Sequence, residues 1–196
     1  MSLHVIGLVS LVSFLLAAPS GVVFSGELPC ERFDQADVSA IDAAHLSEAL
    51  AGSAKSQFEV GLIYEYGRGV TQSDSIARCW YEASASQHHP DAQYRLGVLL
   101  DNGWGVEEDD AKAFESYKLA SHSGHALAQH DLAMMYFYGT GTARDLVQAY
   151  RWLKIANLSG SDLMLKHLRL VAAEMTPLEI DRAESLVELS MNELEI

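Results

Sequence analysis

The chain has 196 residues, and 49% of them are hydrophobic, enough for a packed core and too many for wholesale disorder. It carries 13 Lys plus Arg against 27 Asp plus Glu, a formal net charge of −14. Such an acidic surface repels phosphate backbones and anionic lipid heads. It argues against nucleic acid and against a peripheral membrane role, and leaves room for a protein partner with a basic patch.

Residues 1–25 read as a signal peptide. Val5 to Ala18 is an apolar run of 14 residues broken by Gly7, Ser10 and Ser13, and Pro19 interrupts it. It is short for a membrane span, and a cut after Ser20 or Ser25 suits a signal peptidase. Met1 to His4 has neither Lys nor Arg, so an uncleaved N-terminal anchor is the alternative. The expected location is therefore periplasmic or secreted, with no membrane contact after cleavage. Residues 26–53 form an N-terminal segment with a capping helix over Asp37 to Ala51, apolar at Val38, Ile41, Ala44 and Leu46.

From residue 54 the chain repeats. Gln57, Gln93 and Gln129 are 36 residues apart, as are Gly67, Gly103 and Gly139, then Gly69, Gly105 and Gly141, then Ala77, Ala113 and Ala149. A fixed period of this size marks units that stack into a solenoid. The predicted units are 54–89, 90–125 and 126–161.

Within one unit, Gln57, Val60, Gly61 and Tyr64 have helical spacing, and Tyr66-Gly67-Arg68-Gly69 ends that helix. Ser73 or Asp74 then caps a second helix, with Asp109, Asp110 and Asp145 at the matching places. Its apolar face is Ala77, Trp80, Tyr81 and Ser84, repeated as Ala113, Ser116, Tyr117, Ala120 and as Ala149, Trp152, Leu153, Ala156. Each unit is an antiparallel helix pair that buries its face only against a neighbour. Residues 162–196 read as C-terminal capping helices. The first spans Asp162 to Glu174. The second starts at a capping box, Thr176-Pro177-Leu178-Glu179, and turns Leu178, Ala183, Leu186 and Leu189 inward.

The runs Ala92-Gln93-Tyr94-Arg95-Leu96-Gly97, Asn102-Gly103-Trp104-Gly105-Val106 and Asp110-Ala111-Lys112-Ala113-Phe114, with Tyr117 and Gly124, resemble a Sel1-like repeat. The resemblance implies an all-α fold, an α/α solenoid related to tetratricopeptide arrays. It also implies a non-catalytic adaptor or regulator that binds a protein or peptide; the alternative is a structural part of an envelope or flagellar-motor assembly. The third unit departs from the pattern at Ala133, where Gly97 stands, and at Thr142, where Val106 stands.

No residue pattern supports catalysis or a cofactor. The Gly-x-Gly loops lack the third glycine and the preceding strand of a dinucleotide fingerprint, so they read as turns. His89 and His125 occupy one site in adjacent units, near His88 and His122. No Cys or carboxylate stands at ligand spacing to complete a tetrahedral site, so no metal is expected there. Glu107-Glu108-Asp109-Asp110 lacks the order of a calcium loop and reads as a solvated helix start.

Counting 100° per residue, the first helix of each unit turns two positions away from the core. They are Glu59, Arg95 and Asp131, and Tyr66, Asn102 and Tyr138, which form the expected partner-binding stripe. The repeat also bears on the cysteines. Cys79 stands where Glu115 and Arg151 stand in later units, so it is expected at the surface. In an oxidising compartment it would pair with Cys30, closing a loop of about 50 residues worth roughly 4 kcal/mol.

Overall fold

The computed structural model describes residues 41–159 and 161–193. The expected signal peptide and Cys30 lie outside the described residues. Among those described there are nine α-helices and no strand. The helices are α1 (Ala43–Leu50), α2 (Ala54–Tyr66), α3 (Asp74–Ala85), α4 (Pro90–Asn102), α5 (Asp110–His122), α6 (Ala126–Tyr138), α7 (Leu146–Ala156), α8 (Asp162–Ala172) and α9 (Pro177–Glu193), with a 3-10 turn at Asn157–Ser159 after α7. No described helix is long and apolar enough to cross a membrane.

The chain is an all-α solenoid. Helices α2 and α3, α4 and α5, and α6 and α7 pair within units, while α3 on α4 and α5 on α6 join them. Helix α1 covers the first unit, and both α8 and α9 return onto α7. Every residue of the predicted second-helix face is buried, from Ala77, Trp80, Tyr81 and Ser84 to Ala149, Trp152, Leu153 and Ala156. Each large ring so buried withdraws roughly 150–250 Å² from water, about 4–6 kcal/mol before entropy is counted.

The recurring residues have recurring tasks. The first glycine of each loop ends the first helix in the left-handed region, at φ 61° for Gly67, 67° for Gly103 and 75° for Gly139. Here a side chain would be strained. The next helix is capped by Ser73, Asp109 or Asp145, each accepting a backbone N–H three residues on. The glutamines tie units together: Gln57, Gln93 and Gln129 donate to the carbonyls of Ala49, Ala85 and Ser121, at the end of the preceding helix. Each of these carbonyls also accepts a backbone N–H, from Gly52, His88 and Gly124, so the glutamine fills the second acceptor position.

The termini depart from expectation. The first described helix starts at Ala43, because Asp42 leaves helical geometry and accepts a hydrogen bond from Ala44 N at 3.1 Å; positions 37–40 lie outside the described residues. Helix α8 stops at Ala172. The capping box forms, with Thr176 N donating to Glu179 Oε2 at 2.8 Å and Glu179 N to Thr176 Oγ1 at 3.3 Å. On α9, Ala183, Val187 and Ser190 are buried, whereas Leu178 and Leu189 are exposed. Among the described helices, α9 packs chiefly on α7, so a narrow stripe is covered.

Candidate partner-binding face

The first helices α2, α4 and α6 lie one unit apart, and their side chains reach across the seams. Arg95 on α4 pairs with Glu65 on α2 at 3.1 Å, and Glu65 also accepts the Tyr81 hydroxyl. Burial pulls the Arg95 guanidinium down, but the Glu65 carboxylate together with the Tyr66 and Tyr81 hydroxyls outweighs it and holds the group above its usual value. Burial pushes the Tyr81 hydroxyl well above the phenol range, and Glu65 adds to this. One unit on, Tyr117 donates to Asp101 at 3.2 Å. Burial raises the Asp101 carboxyl, with the charges of Asp110, Asp131 and Glu108 adding to it and the Tyr117 hydrogen bond opposing. Tyr94, between them, is pushed up to about 12 by burial and by Asp131.

The predicted stripe divides in two. Glu59, Arg95 and Asp131 are half-buried and committed: Glu59 pairs with His45 and with Lys55 at 3.9 Å, Arg95 with Glu65, and Asp131 with His130 at 2.8 Å. Tyr66, Asn102 and Tyr138 stand outward, Tyr66 48% and Tyr138 66% exposed. Two cations flank the Tyr66 ring, with Arg68 at 5.1 Å and Arg95 at 5.8 Å from its centre. Asn102 donates to the Val98 carbonyl of its own helix at 2.8 Å, and Tyr138 meets Phe137 edge-on. Ionic residues thus form a fixed floor and aromatics a free rim, an arrangement suited to peptide contact.

Sequence reasoning missed Trp104, the middle residue of the second Gly-x-Gly loop, which is 49% exposed. It also missed the Tyr81–Glu65 and Tyr117–Asp101 pairs, although both stand 16 residues apart at the repeat period. His89 and His125 both border Asp91, at 4.0 Å from His89 Nδ1 and 3.4 Å from His125 Nε2, and each ring flattens on an aromatic of its own unit's first helix, His89 on Phe58 and His125 on Tyr94. His88 and His122 are exposed. Among the described residues no three His, Cys, Asp or Glu side chains converge on one point.

Cys79 corrects a reading of the register. It is half-buried against the first core cluster, whereas Glu115 in the middle unit is exposed. Position 151, its third equivalent, is also half-buried, because Arg151 donates to Ser190 of α9 at 2.7 Å. In the last unit α9 covers this position. No free cysteine stands among the described residues.

The profile of the Sel1 repeat matches residues 54–89, 90–125 and 126–161. No curated protein matches the chain. The chain resembles the crystal structure of a protective antigen present in uropathogenic Escherichia coli strains displaying an SLR fold, with a TM-score of 0.69 and 28% identity over 76% of this chain and 32% of that one. It also resembles the crystal structure of a Sel1 repeat protein from Oxalobacter formigenes, with a TM-score of 0.62 and 25% identity over 65% and 53% of the two chains. The chain thus spans about a third and about half of those relatives' lengths.

Proposed function

Because the chain belongs to the Sel1 repeat family, whose members are generally non-catalytic scaffolds for protein interaction, we propose that it is an exported adaptor or regulator that captures a protein or peptide on the face of α2, α4 and α6. The observation that carries this reading is the rim of Tyr66, Asn102 and Tyr138 above a floor of hydrogen-bonded polar side chains, Arg95 on Glu65 and His130 on Asp131. Exposed aromatics on a pre-ordered base lose little conformational entropy on binding. The apolar run from Val5 to Ala18 supports export, and the net charge of −14 supports a partner with a basic patch.

The test is affinity capture from periplasmic extract after crosslinking, with the tagged chain and its Tyr66→Ala/Tyr138→Ala variant. The variant is expected to lose the captured partner while its melting temperature stays within a few degrees. Equal capture by both proteins rejects this face.

A further inference from the structure

The seam between the third unit and the C-terminal cap differs from the other seams. At the preceding seam, position 94 of one first helix meets position 131 of the next, and Tyr94 and Asp131 interact there. One period on, the same two places hold His130 on α6 and His167 on α8. His130 Nε2 lies 2.7 Å from His167 Nδ1, with ring centres 5.0 Å apart and ring planes at 33°. His130 Nδ1 lies 2.8 Å from Asp131 Oδ1. A carboxylate on one ring nitrogen holds the proton there and leaves a lone pair on the other, the arrangement found behind metal-ligating histidines.

We propose that His130 and His167 form a site for one divalent copper or nickel ion, oriented by Asp131. With its proton on Nε2, His167 presents a second lone pair across the same gap, and a cation replaces the shared proton. The 2.7 Å between the two nitrogens is the length of one N–H···N hydrogen bond, which the ion replaces once the rings turn. Imidazole nitrogens suit copper, nickel and zinc, and the ordinary order of affinities places copper first. The protein supplies two ligands, since no group of three converges among the described residues, and water takes the other corners. Rotation of the rings about their side-chain torsions turns both lone pairs onto the ion.

The test is calorimetric titration of the chelator-stripped protein with copper(II) chloride alone, followed by electron paramagnetic resonance. The wild type is expected to bind one ion tightly, with hyperfine structure from two nitrogens. His167→Gln should weaken that binding at least tenfold, Asp131→Asn should weaken it 10–100-fold, and His88→Gln should leave it unchanged. Zinc should bind more weakly than copper in the same buffer. Unchanged affinity in His167→Gln, or loss of the tight ion in His88→Gln, overturns the proposal. If His167→Gln does not fold, His130→Gln decides by the same criterion.

Discussion

Gly97 and Tyr117 are in contact so close that a methyl group at Gly97 would stand 2.6 Å from the tyrosine ring. The first unit repeats the relationship, with 2.5 Å between such a methyl at Gly61 and Tyr81. The third unit carries Ala133 and Leu153 at the two places, both fully buried. The larger first-helix residue is thus matched by a smaller partner. Gly97→Ala gains up to about 1 kcal/mol of helix propensity but overpacks a dense seam, at about 1–3 kcal/mol, so net destabilisation is expected. Gly97→Ala/Tyr117→Leu should be more stable than the sum of its single changes. A double-mutant cycle by urea unfolding checks this, and strict additivity contradicts it.

This pair shows which parts of the molecule were legible in the sequence. The departure at Ala133 was visible, but its reason was not, because position 153 interprets it only once the two helices are seen to touch. Helix starts and the buried second-helix face followed from local chemistry: Asp109 and Asp145 cap, and Ala77, Trp80 and Tyr81 share one side. What failed depends on side chains that reach between units or on uneven cover at the ends. The pairing of Arg95 with Glu65 spans 30 residues, Cys79 packs against the first core cluster, and Leu178 faces outward at the start of α9, whose main contact is α7. The His130–His167 pair stands at the repeat period plus one, a contact spacing rather than an equivalence, so aligning the repeats does not reveal it.

His88 has φ 63° where Gly52 and Gly124, one period away on either side, have φ 97° and 82°. A non-glycine residue in this region costs about 1–2 kcal/mol, part of which the greater unfolded freedom of glycine returns. His88→Gly should raise stability by about 1 kcal/mol, read as a shift in the urea midpoint with unchanged slope.

His125 makes stability depend on pH. Its Nδ1 accepts the Ala128 N–H at 3.1 Å, its ring lies on Tyr94, and Asp91 is 3.4 Å from Nε2. Burial, partly opposed by Asp91, lowers its pKa below the ordinary 6.5. The unfolded chain then takes up the proton first, so this contribution is complete above about pH 6.5 and is lost as pH falls through the folded value. His125→Ser copies Ser53, which caps α2 through its side chain, and does not titrate. Stability of the variant should fall less than that of the wild type between about pH 7 and 5; parallel curves contradict the assignment.

The proposed Cys30–Cys79 bridge predicts no reactive thiol in the unreduced mature protein. Reduction should cost roughly 4 kcal/mol if the loop-entropy account holds. Mass spectrometry after alkylation checks it, and two labelled cysteines reject the bridge.

The central claim is that the rim of the first helices holds the partner. Its most direct test is photocrosslinking in cells, with benzoylphenylalanine at Asn102 or Tyr138 on the rim and at Leu119, an exposed residue of the second helix α5. The rim positions should yield a discrete crosslinked protein and Leu119 none. A crosslink from Leu119, with none from Asn102 or Tyr138, would contradict it.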